Sequence, residues 1–386
     1  MLYCLYMKNF KSGNYQINDP GKLTEYKSFL PGTINKPFIV QDQSTLTMLE
    51  EATRLLGEIN AYAKLIPDVD YFIQMHVKSE AVSSSRIEGT RTGIDEAILP
   101  EEEINPERRD DWREVKNYIT AMNWAVAELQ QLPVSVRLLK ETHKLLLAGV
   151  RGKHKLPGQV RISQNWIGGS SIRTAHFVPP RHEEIDNLLS DWEKFWHNNS
   201  LHIPVLIKIA IMHYQFETIH PFLDGNGRLG RLFITLQLIE RHFLDKPILY
   251  ISSYFEEFRQ SYYESLDKVR SGNELEAWIK FFLEGVIKTS TKGREKFENI
   301  ILLRKQYEQK IDTLGRKVPR AKKLLLHLFS QPIVTVNEVS EILSIQFSAA
   351  NNLVNDLVEL HILEEKTGFS RNRLFEMKDY ILLFQN

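Results

Sequence analysis

Residues Glu217 to Phe233 read ETIHPFLDGNGRLGRLF. The segment joins a His-Pro pair, an aspartate, Gly-Asn-Gly and two arginines three positions apart. Proline disfavours helical geometry at the residue before it. A helix ending in YQFETI therefore stops at His220 and leaves the imidazole at a helix end. Glycines on either side of Asn226 open backbone angles closed to other residues, so successive N–H groups can face one concavity and hold an anion. A second helix is expected from about Arg228, and its N-terminal N–H groups and positive dipole end face the same point. Arg228 and Arg231 share a helix face, and guanidinium groups suit phosphate oxygens. Asp224 is a single carboxylate beside that cradle, the usual protein share of a Mg²⁺ held by phosphates and waters. The competing reading is a type I′ turn at Asn226-Gly227. It requires alternating strands on both sides, and the flanks carry helical spacing instead.

Upstream, VLIKIAIMHYQFETI (205–219) is apolar almost all round, as a central buried helix is. Downstream, Leu229, Leu232, Phe233, Leu236 and Ile239 form one stripe of an amphipathic helix. Further out, helical spacing starts at Leu46 and continues through Leu49, Ala52, Leu55, Leu56 and Ile59. Helices are also expected over 70–83, 112–129 and 134–150. Residues 1–45, rich in Gly, Pro, Asn and Lys, read as an extended arm. The stretch QVRISQNWIGGSSIRTAHFVPP (159–180) reads as a hairpin around GGSS. Helices continue through Leu283, and TKGREKFENIILLRKQYEQKIDTL (291–314) is a charged connector helix. Beyond GRKVPRAKK, three short helical patterns precede a two-strand ribbon around Gly368, the order of a winged helix. No internal repeat or low-complexity tract interrupts the chain.

The 386 residues are 42% hydrophobic and 25% charged, with zero formal net charge. That length suits two or three domains, and the balance excludes a global pull toward nucleic acid or anionic membrane. Cys4 is the lone cysteine, which excludes disulfide frameworks and cysteine-rich zinc sites and suits a reducing, cytoplasmic setting. The first residues show no signal-peptide pattern, Met7 is an alternative start, and no apolar stretch is long enough to span a bilayer.

HPFLDGNGRLGR resembles the Fic family signature HxFx[D/E]GNGRxxR at every defined position. SEAVSSSRIEGT resembles the family's inhibitory motif [S/T]xxxE[G/N], with Ser84, Glu88 and Gly89 at its defined positions. YYESLDKVRSGNELEAWIKFFLEGV resembles the closing helices, and the likeness covers about residues 32–288. The winged-helix tail is like that of several bacterial members. The resemblance implies a mostly α fold: a Fic-type helical core with a small β-hairpin flap, plus a C-terminal winged-helix domain. Its implied divisions are 1–115 for the arm and the helices carrying the inhibitory motif, 116–290 for the catalytic core, 291–319 for the connector and 320–386 for the winged-helix-like domain.

The implied activity is transfer of AMP from ATP to a Ser, Thr or Tyr hydroxyl of a protein. His220 would be the general base and Asp224 the Mg²⁺ ligand. Asn226 and the N–H groups around Gly225 and Gly227 would bind the α-phosphate, Arg228 the β-phosphate and Arg231 the γ-phosphate. Phe222 would anchor the loop. Tyr263 and Arg270 would line the nucleoside pocket. The flap, from about Arg161 to Pro179, would dock the target through Ile167, Gly168, Gly169, His176 and Phe177. Glu88 would pair with Arg231 and inhibit, in cis or across a homodimer. A glutamate so placed also suits removal of AMP, the first alternative. The second is a DNA-binding regulator whose core senses nucleotide. GRKVPRAKK, Arg371 and Arg373 could meet phosphates, but SAANNLVNDLVEL has no Lys or Arg and carries Asp356 and Glu359, which disfavours DNA as a partner. Self-modification is a further implied activity, and deleting residues 320–386 is expected to leave it largely intact, because every proposed catalytic residue lies before the connector.

Overall fold

The structure is a computed structural model that describes residues 10–37, 42–66, 68–149, 154–368 and 373–385. The chain opens on two antiparallel strands, β1 (Gly13–Asn18) and β2 (Tyr26–Pro31). This hairpin replaces the expected extended arm. Asn18 Nδ2 donates to Ser28 Oγ at 2.9 Å, and Phe29 N–H donates to the Val178 carbonyl at 2.9 Å. The hairpin thereby lies against the later flap, a pairing across some 150 residues that local composition does not reveal.

Two long helices follow, α1 (Gln43–Leu65) and α2 (Val69–Ile87). α1 begins at the Asp42 cap, whose carboxylate accepts from Thr45 N–H. α2 runs four residues past the expected end at Ser83, because Ser84, Ser85 and Ile87 are all buried. Short α3 (Ile94–Ala97) and two 3-10 turns lead to α4 (Arg109–Glu128) and then α5 (Val136–Leu146). α6 (Ile185–His197) precedes α7 (Val205–Ile219), whose residues from Leu206 onward are all buried. Even Lys208 is inside, donating to the Trp196 and Asn198 carbonyls at the end of α6. α8 (Asn226–Glu240) returns alongside α7. α9 (Ser252–Glu257), α10 (Arg259–Gly272) and α11 (Leu275–Ile311) complete the core.

α11 is one unbroken helix of 37 residues, so the division drawn at 290/291 falls inside it. α1 lies along α11, with Tyr62 bonded to Glu298 at 2.8 Å and Arg294 paired to Glu58 at 3.2 Å. No break occurs because Phe297, Ile300, Tyr307 and Ile311 continue the buried stripe beyond the core.

The tail comprises α12 (Val318–Ser330), β3 (Ile333–Thr335), α13 (Val336–Leu343), α14 (Phe347–Glu359), β4 (Glu364–Glu365), β5 (Leu374–Glu376) and α15 (Lys378–Leu382). Its sheet order is β3-β5-β4, all antiparallel, so a third strand joins the expected ribbon. The tail is not a free module. Phe329 packs tilted against Phe72 of α2, ring centroids 4.4 Å apart, and Lys78 Nζ donates to the Ser330 carbonyl and Gln331 Oε1, each at 2.8 Å. Lys78 thereby gives a carbonyl at the C-terminal end of α12 the donor it lacks within the helix. The main apolar core therefore runs from Phe10 to Phe384, and the tail packs as part of it.

Candidate active site

Helix α7 ends where Pro221 requires. His220 caps it with left-handed backbone angles, φ 49° and ψ 60°, and its N–H donates to the Phe216 carbonyl at 2.9 Å. α8 starts two residues earlier than expected. Gly225 supplies the left-handed N-cap at φ 75°, which puts Asn226 and Gly227 in the first turn. The Asn226 side chain is spent within the loop. Its Oδ1 accepts from Phe222 N–H at 2.9 Å and its Nδ2 donates to the Phe222 carbonyl at 2.8 Å. Its amide is thus a loop staple. Phe222 is fully buried and stacks on the His143 ring at 3.8 Å. His143 Nδ1 accepts from Gly158 N–H at 2.8 Å, so its Nε2 carries the proton donated to the Asp224 carbonyl at 2.9 Å.

Arg231 lies at the centre with 1% of its side chain exposed, and three bonds tie it to α2. Its Nη2 meets Glu88 Oε1 at 2.7 Å and the Ser84 carbonyl at 2.8 Å, and its Nε donates to Ser84 Oγ at 3.0 Å. Glu88 thus pairs with Arg231, and Ser84 supplies the second half of the clasp one helical turn earlier. Gly89 follows at φ 99° and ends α2. Burial pushes the Glu88 carboxyl upward, but Arg231, with Arg228 and His220, holds it below its usual value. Its carboxylate overhangs Gly227: a Cβ there would meet Glu88 Oε1 at 2.2 Å and Arg231 Nη1 at 3.0 Å. The glycine cradle is therefore covered by an acidic group from α2.

Arg228 is engaged as well. Its Nη1 pairs with Glu114 of α4 at 2.9 Å, with side chains 5% and 10% exposed, and its Nη2 stands 3.6 Å from Asp224 Oδ1. Asp224 is 41% exposed, and its Oδ1 accepts from Gly225 N–H at 2.6 Å. Among the described residues, no group of three or more His, Cys, Asp or Glu side chains gathers to hold a metal. A lone open carboxylate at the mouth of an anion cradle fits Mg²⁺ that takes its remaining ligands from phosphate and water.

The His220 side chain is half-buried, with Nδ1 shielded from solvent. Its pKa is lowered to about 4, by burial first and then by Arg161 and Arg270, against the opposing effects of Glu88 and the Glu217 carbonyl. It is therefore neutral near pH 7, the form a proton acceptor needs.

The flap differs from the expected hairpin. Ile167 and Phe177 form a single antiparallel bridge, and Gly168 and Gly169, both at φ 69°, turn the chain. Ladder formation stops there because side chains take the backbone carbonyls. Gln164 Nε2 donates to the Asn165 and Pro179 carbonyls, and Asn165 Nδ2 to that of Phe222. Phe177 is buried, whereas His176 is exposed and bonds Asp267 at 2.5 Å. Arg270 covers the Phe177 ring at 4.0 Å and pairs with Asp267 at 2.5 Å. It braces the flap, and its guanidinium is already committed there. Tyr263 is 37% exposed, and the charges of Glu88 and Arg231 bear on its hydroxyl.

Sequence reasoning passed over Glu114, Glu80 and Glu217. Glu80 is buried on α2, bonded by Tyr118, Ser252 N–H and Ser252 Oγ. Burial raises it, and likewise Glu217, to about 7. The signal for Glu114 is a carboxylate in register with the buried stripe Tyr118, Ala121 and Ala125 of α4. In the tail, Arg371 lies outside the described residues. Arg373 bonds Asn351 and Glu365, Lys317 pairs with Asp356 and Lys322 with Asp312. The basic residues expected to meet DNA are thus partly neutralised within the fold.

The fold and site define a helical protein with a histidine-bearing, glycine-rich cradle, covered by a glutamate from a neighbouring helix. The chain belongs to the Fic/DOC family: the Fic/DOC family N-terminal profile matches residues 46–127 and the Fic/DOC family profile residues 133–238. It is 29% identical over 184 residues to a protein named protein adenylyltransferase Fic from Drosophila willistoni, covering 47% of this chain and 33% of that protein. It is 29% identical over 256 residues to one of the same name from Drosophila grimshawi, covering 64% and 48%. The chain thus spans a third to about half the length of these curated relatives. A crystal structure of a Fic family protein from Desulfovibrio desulfuricans G20 superposes with a TM-score of 0.55 at 19% identity, over 89% of this chain and 98% of that one. That likeness establishes the fold. Among the described residues, no helix is long and apolar enough to cross a membrane.

Proposed function

We propose that this protein is a protein adenylyltransferase that transfers AMP from ATP to a Ser, Thr or Tyr hydroxyl of a protein, and that Glu88 restrains it. The observation that carries the reading is the placement of His220 at the end of α7 beside the Gly225–Gly227 turn that opens α8 and its two buried arginines. Two relatives share the name protein adenylyltransferase Fic.

In this reading His220 takes the proton of the target hydroxyl as its oxygen bonds to the α-phosphorus. The bond from that phosphorus to the bridging oxygen breaks, and pyrophosphate leaves with the electron pair. The N–H groups at the start of α8 stabilise charge on the α-phosphate. Arg228 holds the β-phosphate after Glu114 yields it, and Arg231 holds the γ-phosphate once Glu88 withdraws. Asp224 would hold Mg²⁺, which supplies charge neutralisation on the phosphates when bound. The flap presents the target chain by main-chain pairing.

The test is incubation of Glu88→Gly and of His220→Ala/Glu88→Gly with α-labelled ATP and Mg²⁺, scoring label on protein. The single variant labels protein and the double variant does not. Equal labelling by both would remove His220 from the reaction.

A further inference from the structure

Arg161 is 1% exposed, and its donors serve the flap and the catalytic loop together. Its N–H donates to the Pro221 carbonyl at 2.9 Å. Nε donates to the His220 carbonyl at 3.0 Å, and Nη2 stands 3.5 Å from that of Ile219. Nη1 donates to the Ser163 carbonyl at 3.1 Å and Nη2 to that of Pro180 at 2.5 Å. Ser163 lies on the outgoing leg of the flap and Pro180 at the foot of the returning leg. Ile219 and His220 are the last residues of α7, where carbonyls lack helical partners and a cation complements the dipole. His220 is held there in left-handed geometry, which a residue with a Cβ keeps only when its surroundings enforce it. Only a planar fork can serve these divergent acceptors together.

We propose that Arg161 is the positioning residue of this site: it clamps both legs of the flap to the end of α7, so that a target segment on the flap and the His220 imidazole share one register. The role rests on the adenylyl-transfer reading of His220. Asn165 strengthens the same joint through the Phe222 carbonyl. Burial lowers the Arg161 pKa only to about 10, so the cation persists at neutral pH. The charged groups facing the imidazole are Arg161 from the flap, Glu88 from α2 and Arg270 from α10, with the Glu217 carbonyl of α7. Arg161 therefore also helps keep His220 neutral.

Arg161→Gln and Arg161→Lys, each combined with Glu88→Gly, separate fork from charge. Two quantities are read: transfer of α-label, and the titration of ¹³C-labelled His220 by NMR, assigned with His220→Asn. Arg161→Gln is expected to move the His220 midpoint upward, still below the free value because burial remains the larger cause, and to lower transfer at least tenfold, with KM for ATP little changed. Arg161→Lys is expected to keep the low midpoint yet lose transfer, because one ammonium cannot reach both legs. Wild-type titration in a folded Arg161→Gln protein, or full transfer by Arg161→Lys, overturns the proposal. So does an unfolded Gln variant beside a Lys variant that matches its parent in both readouts. If the Glu88→Gly parent itself transfers no label, the adenylyl-transfer reading has failed and the titration alone judges the clamp.

Discussion

Replacing Glu88 by glycine tests how the cradle is closed. Glu88 gives Arg231 one charge-assisted bond at 2.7 Å, and Ser84 gives two more that the substitution leaves in place. A bond of that kind is worth roughly 1.5–3 kcal/mol, and the 35% exposure of the Glu88 side chain places this one near the lower bound. About 1.4 kcal/mol is tenfold in rate, so Glu88→Gly should raise AMP transfer roughly tenfold. Clearing the carboxylate from Gly227 adds to that figure. Glu88→Gln keeps the shape, loses the charge and should fall between the two. The assay is initial-rate incorporation of α-labelled ATP at matched Mg²⁺ and nucleotide, with ATP affinity measured separately. Arg231→Ala should not mimic the activation, because it removes the proposed γ-phosphate ligand along with the clasp. Transfer by Glu88→Gly no faster than wild type would refute the inhibitory assignment and leave Glu88 as the C-cap of α2.

Asp224→Ala should sharply weaken Mg²⁺-dependent turnover, and a Mg²⁺ titration that matches wild type would place the metal elsewhere. The free-enzyme acid limb, read from kcat/KM against pH, should lie near 4, because burial lowers His220 and the base works only when neutral; a limb at 6.5 would mean an imidazole open to water. Thermal stability should decline as pH falls from 6.5 toward 4. In that window His143, His213 and His220, lowered to about 4, 3 and 4 chiefly by burial, bind fewer protons folded than unfolded, outweighing the opposite effect of Glu80 and Glu217; stability unchanged between those limits would contradict their burial. Deleting residues 320–386 should lower the melting temperature by several degrees, since uncovering Phe72 alone forfeits about 2–3 kcal/mol, and an unchanged melting temperature would show that the tail does not brace α2.

The loop was legible because its geometry restricts residue type. Pro221 ends α7, Gly225 alone meets φ 75° without strain, and Gly227 leaves room where a Cβ would collide. The Ser84–Glu88 clasp was legible through its resemblance to the family's inhibitory motif, and four residues on a helix do bring both groups to one arginine. Helices α1, α2, α4, α7 and α8 followed from apolar spacing, with ends displaced where capping or a neighbouring helix extended them. What stayed hidden depends on pairing across long sequence separations. Glu114 meets Arg228 across 114 residues and Lys78 meets Ser330 across 252. An amphipathic pattern says which face is buried but not against what, so the docked tail and the β1–β2 hairpin could not be read from local sequence. The flap misled because its β-branched and aromatic residues suit strands, whereas Arg161 and Gln164 divert the Ser163 and Pro179 carbonyls that a ladder needs.

The central claim is that AMP, rather than phosphate, passes to a protein hydroxyl from the cradle beside His220. Parallel reactions of Glu88→Gly with α-labelled and with γ-labelled ATP, read on protein and by the mass added, test it most directly. Label from the α position alone, with the mass of one adenylyl group and none after His220→Ala, is the predicted result. Label from the γ position, or from neither, would contradict it.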